Sequence, residues 1–188
     1  MNEPGHRSMQ DENVQLRHLL DSLSARLHAA QTQVATMSAA MVAAATLHAA
    51  VDRPSAIQAI NEVVVNLVGS ERFAVLGRRG GAWSVLAATG IDAAEVLTRF
   101  TAAREIRLDE ATGQFWIGDE KTDPMLVCVP LAAHVGVIGA VVIFGLLPQK
   151  AGLASADYEL FELLATQGAA ALHNSSLHSS CAEEGASA

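Results

Sequence analysis

The sequence predicts an α+β protein, with strands grouped in the middle of the chain and helices at both ends. Three observations carry this. An apolar seam spaced alternately four and three occupies residues 16–48, a strand–glycine–strand pattern follows at residues 71–90, and the uncharged run VCVPLAAHVGVIGAVVIFGLL fills residues 127–147. Strands gathered between flanking helices favour helices layered on one face of an antiparallel sheet.

The chain has 188 residues, 51% of them hydrophobic, and a net charge of −8. That is enough apolar material for one core with an appended element. Lys121 and Lys150 are the only lysines, and Arg78–Arg79 is the only adjacent basic pair, beside Gly80–Gly81 in what reads as a solvated turn. A nucleic-acid footprint needs clustered cations to displace counterions, so no nucleic-acid partner is expected. Cys128 and Cys181 form no disulfide framework, which points to a reducing compartment. The opening MNEPGHRSMQDEN has no apolar stretch behind a basic one, so no secretory signal is read and cytoplasm is the expectation.

Residues 1–13 are polar and expected to be disordered. From residue 14 to about 40 a helix is predicted on the seam Leu16, Leu20, Leu23, Leu27, Ala30, Val34, Met37, Met41, Ala44 and His48. More than four heptads of this spacing describe a coiled coil, and hence a homodimer. The alternative is one long helix whose alanine-rich second half, residues 39–50, packs on its own domain. Asp52 can then cap a helix with Pro54 and Ser55 in its first turn, Ile57, Ile60, Val64 and Leu67 on one face and Gly69 as its stop. A hairpin over ERFAVLGRRGGAWSVLAATG, a short helix over IDAAEVLTRF, an extended piece near Glu105–Leu108 and a loop over residues 109–124 come next. The last helix begins with Ser155 as N-cap, has Asp157 and Glu159 in its first turn, and carries Leu160, Leu163, Leu164 and Ala171 on an apolar stripe. Residues 179–188 read as a flexible tail.

The uncharged run is long enough for a membrane helix, which needs ~20 residues. Its punctuation says otherwise: Pro130, Gly136 and Gly139 interrupt it, valine and isoleucine dominate it, and its flanks carry no basic cluster or aromatic belt. Two strands over about 125–132 and 137–146, joined at residues 133–136, account for these features, so no membrane span is expected. Apolar residues on both alternating faces place this hairpin centrally, covered on both sides.

Four stretches in order, ATLHAAVDRPSAIQAINEVV, ERFAVLGRRGGAWSVLAATG, VCVPLAAHVGVIGAVVIFG and LASADYELFELLATQGAAALHNSSLH, make residues 41–178 resemble a GAF domain, the sensory module related to PAS. The resemblance implies a central antiparallel sheet of about six strands. It places the N- and C-terminal helices on one face, a ligand pocket on the other roofed by the segment between strands two and five, and dimers formed through the terminal helices.

The cofactors of that family are not supported by these residues. A bilin needs a cysteine near the lid, and residues 88–124 have none. Lys121 beside Asp123 does not reproduce the Asn-Lys-Phe-Asp-Glu signature of the cyclic-nucleotide binders. No histidine lies between His48 and His134 to hold a haem, and Cys128 and Cys181 are poorly placed for thiol turnover. No catalytic constellation is present either, and no metal-ligand motif. Trp83, Phe100, Phe115 and Trp116 fall where the resemblance puts the pocket wall and roof. With Cys128, and with Arg104 or Arg107 pairing an anion, they would line a small-molecule site; alternatively they fill the core. Leu164 and Ala171 would join the seam at the dimer interface. In larger relatives the last helix runs into an output domain, whereas here it runs into SSCAEEGASA. The expectation is a non-enzymatic regulatory homodimer that senses a small ligand and acts through an unidentified output protein; the alternative is a ligand-free scaffold.

Overall fold

The computed structural model describes residues 4–107, 114–119, 123 and 125–175. It divides into two compact units, Met1–Ser38 and Ala39–Ala188. Helix α1 runs over Pro4–His48, starting ten residues before the expected boundary. Proline is tolerated in a first turn, where its missing N–H would go unbonded anyway. No glycine interrupts the helix after Gly5.

The second unit is built on a five-stranded antiparallel sheet of order β2-β1-β5-β4-β3. Its strands are β1 (Ser70–Arg79), β2 (Ala82–Thr89), β3 (Trp116–Ile117), β4 (Val127–Ala133) and β5 (Gly136–Leu146). Gly80 and Gly81, both at positive φ, turn β1 into β2 in two residues. His134–Val135 does the same for β4 and β5, where Ala133 pairs with Gly136. The uncharged run is thus a hairpin, with β5 central between β1 and β4. Among the described residues no helix is long and apolar enough to cross a membrane.

Alternation divides the side chains of these strands between two cores. Phe73, Val75, Val127, Val129, Leu131, Val141 and Ile143 face one way, where Ala43 and Leu47 at the end of α1 join them. Helix α2 (Arg53–Glu62, continued by a π-helical turn over Val63–Val68) adds Ala59, Ile60, Val63, Val64 and Val68. Helix α4 (Ser155–Leu163, then a π-helical turn over Leu164–Gly168 and helix to residue 175) adds Leu160, Phe161, Leu164, Ala169 and Leu172. Ala74, Leu76, Cys128, Ala140, Val142 and Phe144 face the other way, under Val96 and Phe100 of α3 (Ala93–Arg107).

Helix α3 corrects the expected extended piece near Glu105: it continues to Arg107. AAEVLTRFTAAREIR is rich in good helix formers, with no glycine or proline. Asp92 caps it, its Oδ1 accepting the Ala94 N–H at 2.8 Å. Gly90 ends β2 in a conformation only glycine adopts easily (φ 63°), and a Cβ there would lie 2.1 Å from the Glu71 carbonyl oxygen.

Two polar devices fix the helical layer. Asp52 and Ser55 form a reciprocal cap on α2: Asp52 Oδ1 accepts the Ser55 N–H at 2.8 Å, and the Ser55 hydroxyl accepts the Asp52 N–H at 3.0 Å. The Ser55 hydrogen bonds, side chain first and backbone second, hold the Asp52 carboxyl below its usual value. At α4 the N-cap is Ala154 rather than Ser155, because the Asp157 carboxylate supplies the cap by accepting the Ala154 N–H at 2.7 Å. The other oxygen of Asp157, which is 3% exposed, takes Lys150 Nζ at 2.7 Å. Lys150 also donates to the Val68 carbonyl at the end of α2.

One carboxylate therefore joins the loop after β5, the end of α2 and the start of α4. Asp157→Ala leaves Lys150 without its counter-charge and α4 without its cap, for an expected loss of about 3 kcal/mol in urea unfolding. A loss of under about 0.5 kcal/mol, typical of an exposed pair, would contradict this role.

Candidate functional site

The candidate site lies between α3 and the sheet. Asp92 starts α3, so Val96 and Phe100, one turn apart, drop onto the strands, where Val96 is fully buried and Phe100 is 1% exposed. Trp83 reaches the same cluster from β2, its ring meeting Phe100 edge to face with centroids 4.8 Å apart. Cys128 lies beneath on β4, fully buried, and Trp116, its register partner on β3, completes the aromatic wall. Four of the residues singled out from the sequence thus come together: Trp83, Phe100, Trp116 and Cys128.

The side chains that line the site among the described residues are mostly apolar. Trp83 Nε1 is buried and has no hydrogen-bond acceptor among the described residues. A buried donor left unpaired costs ~1–3 kcal/mol, which an acceptor placed against it would recover. The indole face of Trp83 is also covered, with the Arg78 guanidinium 5.6 Å from its centroid. Arg78 is therefore more than the solvated turn charge expected from the sequence. The two-residue turn sets Arg78 opposite Trp83 across the hairpin, and that register was the signal available. Arg99, 5.9 Å from the Phe144 ring centroid and 2.6 Å from Glu95, is a further cation on this face that the sequence reading did not pick out.

Phe115 does not belong to the site. It packs on Phe161 and Tyr158 of α4, with centroids 5.6 and 6.2 Å away, because adjacent residues of an extended segment point to opposite faces. There it borders a surface groove of about 490 Å³ with Gln114, Glu162, Ala165 and Thr166. Arg104 and Arg107 lie on the last turns of α3, and their side chains fall outside the described residues.

The proposed dimer residues also divide. Leu16, Leu20, Leu23, Leu27, Val34, Met37 and Met41 are all exposed on α1. Leu164 is fully buried and Ala171 is 8% exposed. Leu164 packs in the core of its own domain, so it offers no surface to a second chain. The apolar stripe of α4 faces the sheet.

No family model and no curated protein matches the chain. Its fold is similar to that of several solved structures, two of them as follows. One is the GAF domain of a protein described as a sensor histidine kinase from Pseudomonas syringae pv. tomato, with TM-score 0.56 and 19% identity over 84% of this chain and 97% of that one. The other is residues 122 to 287 of a methyl-accepting chemotaxis protein, with TM-score 0.52 and 17% identity over 72% of this chain and 97% of that one. At these identities the likeness establishes the fold, which is that of a GAF domain.

Burial raises the Cys128 thiol from its ordinary value of 9.0 to about 12, so at neutral pH it is a protonated, inert hydrophobe. In a Cys181→Ser background, Cys128 should be silent to Ellman's reagent until the protein is denatured. The unfolded chain ionises this thiol near pH 9 while the folded chain keeps it protonated, so its contribution to stability is complete below pH 9 and is lost as the pH rises toward 12. Replacing Cys128 with Ala should flatten that alkaline slope. A native thiol that reacts at once would contradict its burial.

Proposed function

We propose that this chain is a non-enzymatic signalling module that works as a homodimer, takes a small ligand between α3 and the sheet, and is read by a partner protein. The observation that carries this reading is the buried, unpartnered Trp83 N–H set edge to face with Phe100. A mostly apolar site with one buried, unpaired donor favours a mostly apolar ligand that presents a hydrogen-bond acceptor to it. The GAF fold, found here in proteins described as a sensor kinase and a chemotaxis receptor, supports a sensory role. A bacterial, cytoplasmic setting fits the Pseudomonas neighbour and the buried, unbridged Cys128.

The route from ligand to output runs through shared strands. Cys128, Ala140, Val142 and Phe144 touch the α3 side, while their neighbours Val127, Val129, Val141 and Ile143 pack against α2, α4 and the end of α1. A ligand that spreads the α3 side shifts β4 and β5, and with them the helices on the other face. It does so only to the extent that it binds one arrangement better than the other.

A second reading, a scaffold that holds partners without a ligand, is favoured by the close packing of Phe100 and Cys128. Native and denaturing mass spectrometry of the protein as purified separates the two. The sensor reading expects a reproducible extra mass that denaturation releases and that Trp83→Phe, which keeps the ring and removes the N–H, retains at least tenfold less well. A bare mass in both forms favours the scaffold.

The homodimer has its own test. Leu23 is 59% exposed at the middle of the seam, and Leu23→Asp places a charge where two helices would meet. Sedimentation should change from dimer to monomer while the circular dichroism of the sheet is kept. An unchanged dimer would remove α1 from the interface.

A further inference from the structure

His134 and His173 lie far apart in the sequence, so no motif joins them, yet the fold brings their rings together. Helix α4 settles on β4 where Gly168 faces Leu131, a Cβ at Gly168 lying 3.6 Å from the leucine Cδ2. Beyond Leu131 the chain enters the two-residue turn that holds His134. Little more than one helical turn beyond Gly168, α4 presents His173. The imidazoles meet at the end of this crossing, with centroids 4.8 Å apart and planes at 84°. They border an open groove of about 300 Å³ with Thr166, Ala170 and Asn174. His134 is exposed there and His173 half-buried.

One shared ion requires this spacing. With nitrogen–metal bonds of ~2.0–2.1 Å, two imidazoles on a tetrahedral ion hold their ring centroids about 5 Å apart. A metal takes one nitrogen of each ring, so a hydrogen bond made by the second nitrogen orients the ligand rather than competing with the ion. Thr166 and Asn174 bring neutral oxygen donors to the same groove. Among the described residues no group of three or more His, Cys, Asp or Glu is placed to hold a metal. Imidazole pairs completed by neutral oxygen and water suit Zn²⁺ and its transition-metal neighbours, whereas Ca²⁺ and Mg²⁺ want carboxylates. We infer that His134 and His173 form a binding site for a divalent transition-metal ion of the zinc type, which pins α4 to the β4–β5 turn. Leu131 and Leu172 beside it belong to the core under α2 and α4. The site is thus separate from the α3 face and independent of the small-ligand reading. An unfolded chain holds no such fixed pair, so the ion favours the arrangement with α4 seated on β4.

Calorimetric titration of Zn²⁺ into the full chain tests the pair, with His134→Gln and His173→Gln as variants and His28→Gln on α1 as the control. One site per chain is expected, its affinity falling at least tenfold in either variant and unchanged in the control. The melting temperature should rise by about 5 °C at a free ion concentration ~100 times Kd, and either variant should abolish that rise. His134 is exposed in a turn, so its variant should keep the parent fold. Imidazole NMR of the unaltered chain gives a second reading, in which saturating Zn²⁺ moves the His134 and His173 signals together. No binding, binding that survives both variants, or loss in only one of them would overturn the site and leave the two rings as an aromatic contact alone.

Discussion

Burial of β4 and β5 on both faces is the constraint on which the rest of the structure depends. A strand with one wet face can alternate polar and apolar residues, but Val127–Leu131 and Val137–Phe144 cannot, because helices cover both sides. Their backbone groups must therefore be satisfied within the sheet, which places β5 centrally between β1 and β4. The absence of charge over residues 127–147, which on length alone fits a membrane helix, follows from the same requirement.

The two faces of that hairpin are not equivalent. One is closed by three helical segments held in place by capping and by the Lys150–Asp157 pair, and it forms the larger of the two cores. The other is covered, among the described residues, chiefly by α3 and carries the chain's two tryptophans, an unpartnered indole N–H and two cations set over aromatic rings. The unpaired donor on this face would gain a hydrogen bond from any acceptor placed against it.

The sheet was legible in the sequence because alternation and glycine turns are local signals. Gly80–Gly81 and Gly136 set both hairpin turns, and Gly69 at φ 72° ended the α2 layer as expected. Other features left no such signal. β3 has only two residues, Trp116 and Ile117, too few for a period to show. It is also the reason Phe115 and Trp116, read as one aromatic group, part to opposite faces of the sheet. The π-helical turns at Val63–Val68 and Leu164–Gly168 shift the phase of their helices. The inward face of α4 runs through Leu164, Gly168 and Leu172. The α1 seam was legible as a pattern, whereas the meaning of Leu164 was not: periodicity identifies an apolar face but not what covers it.

Hydrogen exchange followed residue by residue tests most directly the claim that the doubly buried hairpin organises the molecule. The amides of Val141–Phe144 should exchange only through global unfolding, with an opening free energy equal to that from denaturant unfolding, while α3 opens at lower cost. Exchange of these β5 amides by local opening, with the helices still protected, would contradict it and place the organising core in the helical layer instead.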